Sequence, residues 1–155
     1  QLPASITVDS LGSWTDFVGD EYKAFSGTAV YTTTINKVPV ADVIKLNLGT
    51  VAENASVYLN GDYIGTVIDS PYQLYIPAEK FKGQDELVVR VANSMANRIA
   101  YMDKKGVDWK IFYNVNMSAR KKENVKNGIF DASDWEPKSS GLLGPVTLTP
   151  AMVKQ

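Results

Sequence analysis

Apolar and polar residues alternate with a period of two through much of residues 27–92 and again near the end of the chain. Gly27-Thr-Ala-Val-Tyr-Thr-Thr-Thr-Ile35 is rich in β-branched and aromatic residues, which suit a pleated and half-buried surface, and predicts a strand. Val43 to Leu48 sets Ile44, Leu46 and Leu48 against Val43, Lys45 and Asn47, so one face meets a core and the other meets water. Residues 55–67 contain two alternating runs, Ala55-Ser-Val-Tyr-Leu59 and Tyr63-Ile-Gly-Thr-Val67, separated by Asn60-Gly61-Asp62. An Asn-Gly pair between such runs predicts a hairpin, because both residues accept positive φ at little cost. Further strands are predicted at Gln73–Ile76 between Pro71 and Pro77, at Glu86–Ala92, and at Val146–Thr149 after Gly144-Pro145.

No run of ten or more residues carries a convincing i, i+3, i+4, i+7 apolar stripe. The helical candidates are short: residues 13–18 with Ser13 as N-cap, and a turn near 131–135. Strands separated by turn residues every 8–12 positions predict an all-β protein, an antiparallel β-sandwich, in one domain spanning residues 1–155. Residues 93–140 break the pattern. Alternation fades there, Lys104-Lys105 and Arg120-Lys121-Lys122 mix with Trp109, Phe112, Tyr113, Phe130 and Trp135, and one or two short strands such as Lys110–Tyr113 are expected. A connection this long in a compact domain is commonly functional or binds a neighbour, so any working surface is expected here.

Composition then narrows the chemistry. At 155 residues, with 45% hydrophobic and 21% charged residues, the chain can bury a sizeable core. Its net charge of −1 argues against a nucleic-acid partner. No apolar run is long enough for a transmembrane helix, so no membrane partner is expected. The absence of Cys removes disulfides, thiolate nucleophiles and thiolate metal sites, and the absence of His removes serine and cysteine triads and the usual zinc sites. Chemistry would have to run on carboxylates, Lys or Tyr. The acids that could pair, Asp16, Asp20 and Glu21 or Asp131, Asp134 and Glu136, carry no mark of burial and read as solvated acids and turn caps. No phosphate loop occurs, no cofactor is implied, and a structural calcium, though compatible with a sandwich, has no sequence signature here.

Aromatic residues of the long segment form the remaining set. Saccharides are held by stacking their C–H faces on Trp or Tyr while Asn, Arg or Lys bond the hydroxyls. Trp109, Tyr113 and Trp135, with Asn97, Arg98 and Asn114 close by in sequence, supply that chemistry and are the candidate carbohydrate-binding residues. The same residues would equally serve to cover the end of a sandwich or to meet another domain.

Several segments together resemble one family. Gly12-Ser-Trp-Thr15, Phe25-Ser-Gly-Thr-Ala-Val-Tyr31, Leu46-Asn-Leu-Gly49 and Ala55-Ser-Val-Tyr-Leu-Asn-Gly-Asp-Tyr-Ile-Gly65 follow the order seen in galactose-binding-like sandwich domains of glycoside hydrolases. Ala96-Asn-Arg-Ile99 and Ser140-Gly-Leu-Leu-Gly-Pro-Val146 are similar to the C-terminal end of family-106, α-L-rhamnosidase-like enzymes, and the sugar-binding domain of glycoside hydrolase family 2 looks like a broader relative. The resemblance implies a jelly-roll accessory domain at the end of a larger secreted or periplasmic bacterial enzyme. Its partners would be carbohydrate and the parent's catalytic domain, and the catalytic carboxylates would lie elsewhere. The alternative is a structural interaction domain without sugar affinity.

Overall fold

The computed structural model describes residues 2–111 and 121–151, and the chain packs as two compact units. The first unit comprises residues 6–14, 27–93 and 139–155; the second comprises residues 1–5, 15–26 and 94–138.

The first unit is an antiparallel β-sandwich, as the spacing of strands and turns predicts. One layer has the order β1-β7-β4-β5, built from Thr28–Ile35, Asp85–Ala92, Asn54–Leu59 and Asp62–Val67. The other is built from β11-β2-β6 (Thr147–Pro150, Val43–Asn47 and Gln73–Pro77) and from the pair β10-β3 (Gly141–Gly144 and Thr50–Ala52). Every predicted strand of residues 27–92 is present, and the final one begins at Thr147 rather than Val146. The short strands β3 and β10 were not anticipated. They offer three and four residues, and Gly141-Leu-Leu-Gly144 has no alternation to detect.

Alternation places the core. β4 buries Ala55, Val57 and Leu59 and turns Ser56 and Tyr58 outward; β7 buries Leu87, Val89 and Val91. These pack with Leu46 and Leu48, Val51, Ile76 and Leu142 from the other layer. A fully buried side chain of this size contributes about 1.5–3 kcal/mol, so this apolar layer is the main stabilising term of the unit. Close packing fixes the backbone where the two strand groups of the second layer meet. Gly49 (φ +67°) forms a parallel bridge with Gly144, its N–H is held by the Asn47 side chain at 2.9 Å, and a Cβ here would run into the Gly144 carbonyl.

Asp85 continues the inward row of β7 and is 1% exposed, the one ionisable group among the largest fully buried side chains. Its carboxylate accepts hydrogen bonds from Asn60 Nδ2 (2.7 Å), the Lys82 amide (2.8 Å) and the Gly83 amide (3.1 Å). Asn60 sits in the left-handed region (φ 51°) of the predicted hairpin turn, followed by Gly61 (φ 85°), and also accepts from the Glu86 amide through Oδ1. Burial pushes the Asp85 pKa up, but the bond from Asn60, then those from Lys82 and Gly83, and finally the Lys82 charge outweigh it and hold the group below the usual carboxylate range.

The second unit holds its chain differently. It contains α1 (Asp20–Lys23), α2 (Ala96–Lys104), and a small hairpin of β8 (Val125–Lys126) and β9 (Ile129–Phe130) turning at Asn127-Gly128. The helix expected over 13–18 is a 3-10 turn at Trp14–Asp16, which runs from the first unit into the second, and α1 follows it. The turn near 131–135 is present, closed by the bond from the Trp135 amide to the Ala132 carbonyl. Lys110 and Ile111 are not in a strand, and the rest of the strand expected over Lys110–Tyr113 lies outside the described residues. Among the described residues, those fully buried in this unit are Thr15, Ala24, Asn97, Ala100, Asn124 and Ala132. No large aliphatic side chain is among them, and side-chain hydrogen bonds organise the described part of the unit together with half-buried aromatic rings.

Two outcomes follow for the sandwich. Gly61→Val, which forces a β-branched residue to positive φ with open space around it, costs on the order of 1–2 kcal/mol, while Gly49→Ala adds a backbone collision and costs more; thermal melts of the two variants check the order. Because the folded pKa of Asp85 is lowered, its contribution is complete above the unfolded value near 4 and is lost as pH falls through the folded value. Urea unfolding between mildly acidic and strongly acidic pH is therefore expected to show a loss of stability that Asp85→Ala, itself less stable by about 3 kcal/mol from its orphaned donors, lacks.

Candidate functional site

Helix α2 is the frame of the second unit. Asn97, Ala100 and Asp103 recur at i, i+3 and i+6 and so share one face, which is buried although two of its three residues are polar. Each polar residue captures a distant piece of backbone. The Asn97 amide donates to the Lys138 carbonyl (2.8 Å) and accepts from the Lys138 N–H (2.8 Å), a two-point clamp on one peptide segment. The Asp103 carboxylate, whose side chain is 1% exposed, accepts from the Trp109 indole (2.6 Å) and the Lys110 ammonium (2.5 Å) through Oδ1, and from the Ala132 amide (2.8 Å) through Oδ2. A carboxylate buried this far requires paired donors, and it has three.

Aromatic side chains line up beside this frame. Trp109 meets Phe130 edge-to-face with ring centroids 6.5 Å apart, and Phe130 meets Trp135 the same way at 5.8 Å. The Trp135 indole donates to Asn124 Oδ1 at 2.9 Å, while the Asn124 backbone bonds Lys121 and Asp131. The Lys110 ammonium lies 5.2 Å from the Trp109 ring centre, a cation–π contact. All three rings are half-buried. Both indole N–H groups thus point into the unit, and what the tryptophans can offer a ligand is ring surface.

A cavity of about 320 Å³ lies beside this row, lined by Ala96, Asn97, Trp135, Glu136 and Lys138. Of the sequence candidates, the structure brings Asn97 and Trp135 together here. Trp109 is linked to Trp135 through Phe130 but does not line the cavity. Arg98 is exposed on α2, its guanidinium 5.8 Å from the Tyr101 ring centre, and is also absent from the lining. Tyr113 and Asn114 lie outside the described residues. Two lining residues escaped the sequence reading as ligand contacts. In the sequence Glu136 reads as a candidate acid and Lys138 carries no signal beyond its nearness to Trp135.

The candidate acids have ordinary turn chemistry. Asp131 accepts from the Ser133 hydroxyl (2.5 Å) and amide (3.0 Å), and Lys126 lies 3.3 Å from Asp131 and 3.1 Å from Asp134. The hydrogen bond from the Ser133 hydroxyl does most to hold the Asp131 pKa below its usual value, against the pull of burial. A carboxylate kept ionised in this way is a poor proton donor. Asp20 pairs with Lys105 at 3.4 Å with both side chains exposed. Among the described residues no three acids cluster to hold a metal ion.

Comparison with known proteins adds to this geometry. No family model matches the chain. A protein of Formosa agariphila that bears the provisional name of a β-glucuronidase is 32% identical over 158 aligned positions, covering 92% of this chain and 14% of that protein. The solved rhamnosidase of Novosphingobium sp. PP1Y superposes with a TM-score of 0.76 at 29% identity, over 95% of this chain and 13% of that one. A family 2 β-galacturonidase of Eisenbergiella tayi aligns over 59% of this chain and 16% of its own at 22% identity and a TM-score of 0.49. This chain thus resembles a small β-domain of glycoside hydrolases, spans about one seventh of the relatives that cover it best, and corresponds to a non-catalytic part of them.

Trp109→Ala removes a ring from the edge-to-face row and one donor from buried Asp103, and is expected to destabilise the second unit by about 3 kcal/mol. Hydrogen exchange of the α2 amides reads this loss directly. Under a purely ligand-contacting role for Trp109 those amides would exchange as in the parent chain.

Proposed function

We propose that this chain is a non-catalytic β-sandwich accessory domain of a secreted or periplasmic bacterial glycoside hydrolase, and that its second unit offers a weak saccharide contact beside Trp135. The observation that carries the first part is the alignment of nearly the whole chain with a small share of a rhamnosidase. What supports the second is the cavity itself. It places Trp135 beside Glu136 and Lys138, residue types that suit a stacked sugar ring and its hydroxyls. A single stacked ring and a few bonds exchanged against water give millimolar affinity, about −4 kcal/mol. Tethering such a site to a catalytic domain raises the local concentration of its ligand, which makes weak binding useful. The two relatives that align over most of the chain carry different enzyme names, so the sugar cleaved is a property of the parent's catalytic domain under this reading.

A second reading has its own support. The Asn97 amide is committed to the Lys138 backbone on both of its atoms, and Trp109 and Trp135 direct their N–H groups inward. Val18 and Ile111 of the second unit are 96% and 83% exposed. These features suit a domain whose partner is protein, namely the parent's catalytic domain, and whose sugar contact is nil.

Titration with rhamnose, galactose and plant-polysaccharide fragments, followed by amide NMR shifts, separates the readings. Shifts at Trp135, Glu136 and Lys138 that vanish in Trp135→Ala are expected, and no shift with any sugar at high concentration leaves the packing role. In parallel, the purified chain is expected to turn over no aryl glycoside; turnover abolished by one Asp or Glu substitution would overturn the accessory assignment.

A further inference from the structure

The outer face of the four-stranded layer carries an ordered row of aromatic and cationic side chains. On β7 the outward residues are Glu86, Val88, Arg90 and Ala92, and Arg90 stands between Val30 of β1 and Ser56 of β4. Its guanidinium lies 4.8 Å from the centre of the Tyr58 ring on β4, and Tyr58 meets Tyr63 of β5 edge-on with ring centroids 5.5 Å apart. The Tyr63 hydroxyl is hydrogen-bonded to Thr66 Oγ1 (2.9 Å), and that oxygen to Ser56 Oγ (2.7 Å). Three strands thus present one row, about 10 Å across at the usual strand spacing.

The row depends on a bulge. Tyr63 and Thr66 are three residues apart, which in a regular strand sets them on opposite faces. The β4–β5 register shifts there: Val57 pairs with Gly65 but Tyr58 with Tyr63, which leaves Ile64 as the extra residue. Ile64 packs against the core, and Gly65 lies so close to Leu74 that a Cβ would come within 2.9 Å of that side chain. The irregularity brings the Tyr63 and Thr66 hydroxyls to one face, and bulges next to active sites commonly re-aim a side chain in this way. Burial does not account for the order. Tyr63 is 60% exposed, Arg90 and Thr66 are exposed as well, and fixing such side chains costs rotamer freedom. Arg90 joins no ion pair and no hydrogen bond among the described residues, so its planar N–H fork is open to an anion. Glu86, the acid on the same face of β7, stands four residues away, about 13 Å along the strand.

We infer that this face of the first unit is a carbohydrate site, separate from Trp135, for saccharides that carry a carboxylate. The Arg90 fork takes the carboxylate in two parallel bonds. The exposed Tyr63 ring takes the C–H face of the adjoining sugar, and the hydroxyls of Ser56, Thr66 and Tyr63, each able to donate and accept, meet those of the ligand. One cation among rings and hydroxyls matches one carboxylate on a sugar rather than the dense charge of a nucleic acid. The inference rests on the accessory-domain reading but not on the Trp135 contact.

The test titrates the intact chain with a short oligogalacturonate, with the same oligosaccharide methyl-esterified at its carboxyls, and with a polyglutamate peptide, each followed by amide NMR shifts. Oligogalacturonate is expected to shift Ser56, Tyr58, Tyr63, Thr66 and Arg90, to bind at least about tenfold more tightly than the neutral ester, and to weaken as salt is raised. Arg90→Gln is expected to lower its affinity to that of the ester. Arg90→Lys recovers only part of the loss, because an ammonium lacks the fork, and Tyr63→Ala weakens both saccharides. Both replaced side chains are exposed, and unchanged amide shifts of the core strands verify the fold of each variant. Equal affinity for acid and ester, full affinity in Arg90→Gln, or no shift on this face would overturn the inference. Polyglutamate binding as tightly at the same amides would overturn it too, in favour of an acidic protein partner. The accessory assignment fails separately, on turnover of a glycoside by the chain, and Arg90→Gln leaves any shift at Trp135, Glu136 and Lys138 in place.

Discussion

The sandwich depends on the register of β7, an inner strand of its four-stranded layer, and that register is fixed by the carboxylate at the strand's first position. A slip of one residue along a strand with a period of two would turn Leu87, Val89 and Val91 out to solvent and carry Glu86, Val88 and Arg90 into the core. Asp85 makes such a slip costly. It is buried in line with the apolar row, and three donors from two separate turns converge on it. Displacing it would strand a desolvated charge, a heavier penalty than the loss of any one of those bonds. The apolar layer supplies most of the free energy, and the buried charge selects which arrangement of that layer forms.

Much of this was legible along the chain, because sheet formation and hydrophobic burial read the same pattern. Ile44, Leu46 and Leu48 alternate in the sequence and are fully buried in the structure, and Asn60-Gly61 announced its hairpin. What hid was held by polar atoms. The inward face of α2 consists of Asn97, Ala100 and Asp103, which no apolar stripe can reveal. The Asn127-Gly128 hairpin carries the same turn signal as its neighbour, but two-residue strands leave no alternation on either side. Strands β3 and β10 pair through short segments whose partners are 89 to 94 residues apart.

The candidate site shows the same division. Residue type drew attention to Trp109, Trp135, Asn97 and Arg98, and the first three do sit in one polar-bonded framework. Sequence cannot say which atom of a side chain is already occupied. The indole N–H of each tryptophan and both ends of the Asn97 amide turn out to serve the fold.

The polar interior of the second unit has a thermal consequence. The heat capacity gained on opening comes from apolar surface and is reduced by polar surface. Among the described residues of the second unit the buried set is Thr15, Ala24, Asn97, Ala100, Asn124 and Ala132, with aromatic rings only half-buried, so opening exposes a larger polar share than opening the sandwich does. Its free energy of opening therefore curves less with temperature than that of a leucine- and valine-filled sandwich. Cooling, which weakens the apolar layer of the first unit, leaves the framework of the second comparatively firm.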